Sequence, residues 1–253
     1  MAIDAWLLDQ LLDPFRQPPG TGSPPVAGVL RLYRWSRPTL SLGFHQRRIA
    51  PRWIELQRRG ELDLVRRPSG GRAVLHGGDL CYALIWPGAS GSRQEVYQRA
   101  CHWLQQAFAG FGLPLRFGRP LRAAGQPLGE AAPGCFSSQT AADLIDASGQ
   151  KRVGSAQLWR RGCLLQHGSI PLAPSPQLWR RVLAEAPPAP LPIDADALIA
   201  ALRRAAEVHL LPELSPGQAC SLEPWELSAT ELASIAASQA AQERPEGPTV
   251  SGG

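Results

Sequence analysis

The run Leu80-Cys81-Tyr82-Ala83-Leu84-Ile85-Trp86 carries no charged or turn-forming residue. Such a short, unbroken apolar run must be covered on both faces, which predicts a central strand. Directly after it, Ser92 to Phe111 places Val96, Ala100, Trp103, Leu104, Ala107 and Phe108 at helical spacing. Ser92 followed three residues later by Glu95 is a capping-box start. A doubly covered strand feeding a long amphipathic helix requires a sheet with helices packed on it.

The flanking segments extend that sheet. Ala2 to Leu12 has apolar residues at helical spacing and ends before Pro14, whereas Val29 to Trp35 and Thr39 to Phe44 alternate like half-buried strands. Leu62 to Arg67 and Arg72 to His76 are expected as strands around a glycine turn. Thr140 to Ile145 and Arg152 to Leu158 flank Ala147-Ser148-Gly149-Gln150 as a hairpin, and Cys163 to Leu172 is a further strand. Asp194 to Leu211 and Ser228 to Ala241 read as amphipathic helices, the second opening on the capping box Ser228 to Glu231. Strands that do not alternate regularly with helices predict an α+β fold, a mixed or antiparallel sheet packed with helices.

Charge divides the chain. Residues 1–183 hold 23 basic and 11 acidic side chains, and residues 184–253 hold 3 and 10. The boundary falls at Pro187-Pro188-Ala189-Pro190-Leu191-Pro192, an extended linker by composition. The expected organisation is therefore a catalytic body over 1–183 and an acidic, two-helix tail over 184–253. No run approaches ~18 apolar residues, so no membrane helix is expected. The start lacks a basic stretch before an apolar one, so no signal peptide is expected. Five unpaired-looking cysteines suit a reducing cytoplasm, and no C-x-x-C suggests a metal site.

One composition anomaly carries chemistry. Of 26 basic residues a single one is lysine, Lys151, and asparagine is absent. On a solvated surface arginine replaces lysine freely, but not where a compact, deprotonatable amine is needed. Lys151 opens the strand Lys151-Arg152-Val153-Gly154-Ser155-Ala156-Gln157, which is followed by Gln166-His167-Gly168-Ser169. Glycine inside a strand marks either close approach by a ligand or a bulged edge hairpin. The segment Arg66-Arg67-Pro68-Ser69-Gly70-Gly71-Arg72-Ala73-Val74-Leu75-His76 reads either as a ligand-cradling loop or as a hairpin turn with exposed arginines. Cys81, Cys101 and Cys163 sit in core patterns, and Cys220 in a polar connector. Cys135, in Gly134-Cys135-Phe136-Ser137-Ser138, is the one in an accessible loop context, so it is the candidate thiolate.

These three motifs, in this order, resemble the lipoate/octanoate branch of the biotin/lipoate protein ligase superfamily, over most of residues 1–175. The resemblance extends to Leu32-Tyr33-Arg34-Trp35 and Ser41-Leu42-Gly43. The biotin branch fits poorly, because its Lys-Trp-Pro-Asn motif needs an asparagine. Cys135-Phe136 resembles the nucleophile loop of octanoyltransferases of the LipM type. ATP-dependent lipoate ligases do not need that cysteine. There are three departures. The family usually has a strand before its Met-Ala-x-Asp helix, so an earlier start is expected. An acidic residue is usual where Ala5 stands, and a threonine where Cys81 stands.

The resemblance implies transfer of an octanoyl group from acyl carrier protein to a lysine of a lipoyl domain or a glycine-cleavage H protein. Cys135 would be the nucleophile. Lys151 would either take its proton or polarise the acyl carbonyl. Arg67, Ser69, Gly70, Gly71, Arg72, Ala73, His76, Gly154, Ser155, Ala156, His167 and Gly168 would bind the acyl group, with Gly70, Gly71 and Gly154 lining a tunnel. His76 would orient the loop or transfer protons, His167 would hydrogen-bond at the pocket or hold structure, and Arg67 and Arg72 would contact the acidic carrier. No cofactor or metal is expected for an octanoyltransferase, and ATP with magnesium for a ligase. A cytoplasmic monomer is expected. The basic body raises the alternative of nucleic-acid binding, but no recognition motif accompanies it, and acidic protein partners explain the charge. A non-catalytic carrier-binding relative is the remaining alternative.

Overall fold

The computed structural model describes residues 1–12, 26–118 and 143–242, with side chains through residue 239. It contains, in chain order, α1 (Ala2–Leu11), β1 (Val29–Tyr33), β2 (Thr39–Leu42), α2 (Pro51–Arg58), β3 (Asp63–Arg66), β4 (Val74–His76), β5 (Asp79–Pro87), α3 (Arg93–Ala109), β6 (Arg116–Phe117), β7 (Leu144–Ile145), β8 (Lys151–Arg160), β9 (Cys163–Pro171), α4 (Pro176–Leu183), α5 (Ala195–His209), α6 (Leu211–Leu214) and α7 (Ala229–Gln242). The fold is α+β.

Two sheets form. The larger has the order β1-β5-β9-β8-β7-β6, and every neighbouring pair is antiparallel. Strand β5 explains its own sequence. Leu80, Tyr82, Leu84 and Trp86 join Val96, Trp103, Leu104 and Phe108 of α3 in one cluster. The alternate residues Ala83 and Ile85 face Leu7 and Leu8 of α1. With a helix on each face, a polar residue at either parity would be buried, so the run is apolar throughout. Helix α3 begins as expected, with Ser92 Oγ accepting from Glu95 N at 3.3 Å and Glu95 Oε2 from Ser92 N at 2.8 Å.

The smaller sheet, β3-β2-β4, corrects one expectation. Strands β3 and β4 do not pair with each other around the glycine turn. Both flank β2, β3 in parallel and β4 antiparallel. Helices α2 and α4, absent from the sequence reading, cover this sheet with Trp53, Leu56, Trp179, Val182 and Leu183. Trp53 Nε1 donates to the Val182 carbonyl at 2.6 Å, so the largest buried side chain here has its polar end satisfied. Burying each such side chain contributes roughly 1.5–3 kcal/mol.

Packing crosses the compositional boundary at residue 184. Leu191 is buried, and its amide bonds the Leu172 carbonyl at 2.9 Å, pinning the proline-rich run to the end of β9. Leu198, Leu202 and Ala206 of α5 share the cluster of α3 and β5. The charge contrast serves this contact at its rim, where Arg99 pairs with Glu213 at 2.5 Å. No helix among the described residues is long and apolar enough to cross a membrane.

Candidate active site

Strands β8 and β9 bring the two glycine-bearing motifs face to face. Gly154 is opposite Ser169, Ser155 opposite Gly168, Ala156 opposite His167, and Gln157 opposite Gln166. β8 lies between β9 and β7, so the hairpin is bulged but its second strand is interior. The loop between β3 and β4 lies over this surface. Between them is a pocket of about 450 Å³ including its mouth, lined also by Tyr33, Ser41, Val74 and Met1.

Two glycines make the pocket possible. Gly71 has φ +97°, where a side chain would be strained. A Cβ on Gly168 would come within 2.5 Å of Tyr82 Cε1 and 2.9 Å of the Gly154 carbonyl oxygen, so this strand position admits only glycine.

The polar groups around the pocket are engaged with one another. Ser155 Oγ is 2.7 Å from Tyr82 Oη, which accepts from Gln166 Nε2 at 3.0 Å. His76 is held at both ring nitrogens. Nδ1 lies 2.7 Å from Asp79 Oδ2 and Nε2 lies 2.9 Å from Ser41 Oγ, with Trp35 stacked on the ring at 4.7 Å. A proton on Nδ1, donated to the carboxylate, leaves Nε2 to accept from the serine. Asp79 Oδ2 also accepts from Ser169 at 2.7 Å and Cys81 at 3.1 Å. Burial opposes ionisation of Asp79, but these donors, His76 first, outweigh it and lower its pKa. Burial, reinforced by Asp79, raises the Cys81 thiol well above its ordinary value, so this cysteine is a packed core thiol.

A second chain of groups runs outward from the pocket-lining His167. Ser69 Oγ lies 2.5 Å from His167 Nε2, and His167 Nδ1 faces Asp4 Oδ2 at 3.6 Å. Asp4 is fully buried and ion-paired with Arg31. Burial alone would raise the Asp4 carboxyl, yet His167 and Arg31 hold it at about 2. Burial lowers the His167 pKa despite the facing carboxylate, so its imidazole is neutral near pH 7.

Of the residues expected at the site, Arg67, Gly71, His76, Gly154, Ser155, Ala156, His167 and Gly168 line the pocket. Ser69, Gly70, Arg72 and Ala73 stand behind or beside it. Ala73 is fully buried in the core of the smaller sheet. Arg67 turns into the loop. It is 4% exposed and donates to the carbonyls of Ser41 at 2.8 Å, Gly70 at 2.9 Å and Arg72 at 2.6 Å. Its guanidinium has five fixed donors, which suits it to gather carbonyls that a tight loop turns inward. Lys151 opens β8 three residues before Gly154. It is buried, and its Nζ lies 2.8 Å from Asp143 Oδ1. Cys135, with Gly134 to Ser138, lies outside the described residues. The sequence reading missed Ser41, Asp4, Asp79 and Asp143. Ser41, Ser169 and Asp4 stood inside quoted motifs, but Asp79, Arg31 and Asp143 carried no local signal of pairing.

Residues 1–206 match the sequence profile of the lipoyl protein ligase A/B catalytic domain. The chain belongs to that family. The catalytic-domain family therefore takes in most of α5, in keeping with its packing against α3. Octanoyltransferase LipM of Kyrpidia tusciae is 40% identical over 168 residues, 62% of this chain and 59% of that protein. The chain thus spans about three fifths of the length of this curated relative. Solved structures share the fold at lower identity. A lipoic acid-bound protein of T. acidophilum superposes with a TM-score of 0.66 at 19% identity, over 94% of this chain and 90% of that one. A structure from Thermoplasma acidophilum, described as a bi-partite lipoate protein ligase and its E2 lipoyl domain, has a TM-score of 0.62 at 18% identity, over 92% and 86%.

Proposed function

We propose that this family member is an octanoyltransferase, moving an octanoyl group from acyl carrier protein to a lysine of a lipoyl-carrying protein. The observation that carries the reading is the pocket itself. Its serine hydroxyls and the His76 ring are tied to Tyr82, Asp79 and each other, and His167 Nε2 is tied to Ser69, so what it offers a ligand is chiefly carbon. Eight carbons buried there contribute several kcal/mol at ~0.8 kcal/mol per methylene. The similarity to octanoyltransferases, together with Cys135-Phe136, favours transfer over ligation.

In the proposed reaction the Cys135 thiol attacks the carrier thioester. A new carbon–sulfur bond forms, and the carrier leaves as its thiol after taking up the proton that Cys135 gives. The acceptor lysine, as the neutral amine, then attacks the Cys135 thioester. An amide forms and the cysteine thiol is restored with a proton from that amine. Splitting the transfer into two steps is covalent catalysis. Lys151 sits with a carboxylate at 2.8 Å. An ammonium so paired suits hydrogen-bond donation to the acyl carbonyl as negative charge develops there. The reaction requires neither ATP nor metal. We place it in the cytoplasm, where carrier and acceptor are both available.

The test is intact mass spectrometry after mixing with octanoyl acyl carrier protein, without ATP. The expected product is a hydroxylamine-labile octanoyl adduct that Cys135→Ser abolishes. Acylation of a lipoyl domain that instead requires ATP and free lipoate, and survives that substitution, overturns the proposal in favour of a ligase.

A further inference from the structure

The loop and helix over residues 43–59 expose arginines together with two large apolar side chains. Arg47, Arg48, Arg52, Arg58 and Arg59 are exposed, and Glu55 is the only acid between Phe44 and Gly60. Glu55 is taken by Arg59 at 2.8 Å and Arg58 at 3.7 Å. Arg47, Arg48 and Arg52 have no ion-pair partner among the described residues. In the same segment Phe44 is 56% and Ile54 44% exposed. A segment that exposes an aromatic and an isoleucine among arginines without ion-pair partners has the composition of a protein-binding surface rather than of solvated periphery.

This face is fastened to the pocket. The Phe44 amide donates to the Ser69 carbonyl at 2.9 Å. Gly43 is pressed so closely on the pocket-lining Gly71 that a Cβ there would lie 1.8 Å from its carbonyl oxygen. Arg66 Nη1 donates to the carbonyls of Gly43 at 2.9 Å and Gln46 at 2.8 Å, which fixes the outward course of the loop. A body resting on Phe44 is therefore one residue from Gly43, which touches the pocket-lining Gly71.

We infer that this surface docks the acceptor, an acidic lipoyl-carrying domain, and so presents its target lysine to the pocket. The inference rests on the octanoyl-transfer reading for the identity of the partner. Reach separates acceptor from donor. A lysine extends only the length of its own aliphatic stem, so its domain must sit against the loops beside the pocket. A carrier that delivers its acyl group on a long flexible arm can stand off. The charge sets the partner's sign, since unpaired arginines steer and orient an acidic face.

The experiment is equilibrium binding of an unmodified lipoyl domain to the full chain by calorimetry, without acyl donor. The wild type is expected to bind with an affinity that falls as salt rises. The triple variant Arg47→Glu/Arg48→Glu/Arg52→Glu is expected to weaken binding at least about tenfold, and Phe44→Ala several-fold. Loading of Cys135 from octanoyl acyl carrier protein is expected to be unchanged in both. A triple glutamine variant repeats the measurement with less electrostatic strain on folding. Unchanged lipoyl-domain binding overturns the inference. So does a loss confined to carrier loading, or salt-sensitive RNA binding at this face in place of the domain. Because binding is read without turnover, a chain that binds the domain here but forms no octanoyl amide overturns the activity and leaves the surface standing.

Discussion

Ser69 and His167, 98 positions apart in sequence, meet at 2.5 Å across the pocket wall. This contact joins the loop between the small strands to β9, with the neutral imidazole accepting from the serine hydroxyl. Nε2 can accept from the serine only while unprotonated, with the Nδ1 proton turned to Asp4.

The pH dependence of stability follows from the depressed His167 pKa. Its folded value lies below that of the unfolded chain, ~6.5. As pH falls below that value the unfolded state takes up a proton that the folded state refuses. Stability from this group is thus complete above ~6.5 and is lost as pH falls toward the folded pKa. Urea midpoints measured between pH 8 and 5 are expected to decline below ~6.5 for the wild type and less steeply for His167→Gln. Parallel profiles overturn the assignment.

Asp4 works in a lower window. Its carboxyl is held at about 2 against an ordinary 3.8, so its contribution is present above 3.8 and fades as pH falls toward 2. Asp4→Asn is expected to cost on the order of 2 kcal/mol at pH 7. The gap from wild type should narrow below 3.8. Equal stability at neutral pH would show that the Arg31 pair carries no net energy.

Gly168→Ala tests the close approach of β8 and β9. The added methyl meets Tyr82, Ser155 and the Gly154 backbone, all within 2.9 Å. Overpacking of this kind typically costs ~1–3 kcal/mol. A lowered melting temperature with intact secondary structure is expected; a variant as stable as wild type contradicts the packing.

Lys151→Arg addresses the chemistry. The guanidinium is planar and larger, and it cannot occupy a buried ammonium position against Asp143 without displacing its neighbours. The rate of Cys135 octanoylation, followed by quenched intact mass, is expected to fall about a hundredfold or more. Asp143→Asn is expected to slow it in the same direction. Full activity of the arginine variant would remove Lys151 from the mechanism.

Much of the architecture was legible before folding because its causes are local. Apolar continuity marked β5, helical spacing and the Ser92–Glu95 box marked α3, and Ala147-Ser148-Gly149-Gln150 marked the turn of the β7–β8 hairpin. Helices α2 and α4 were not legible. Each has eight residues, two of them arginine, and buries only two or three apolar side chains, below what periodicity detects. Their Pro51 and Ser175-Pro176 starts were the available signals.

By itself the sequence determined the α+β class, the pocket strands and the isolated Lys151, since side-chain periodicity and residue chemistry are properties of neighbours along the chain. Only the tertiary structure decided which strand pairs with β2, that Arg67 turns inward, and that Asp4 meets Arg31 and His167. Strand pairing and ion-pair burial depend on groups supplied from distant segments. Arg67 illustrates the reason: its charge suggested a partner outside, but carbonyls from Ser41, Gly70 and Arg72 converge to receive it within the fold.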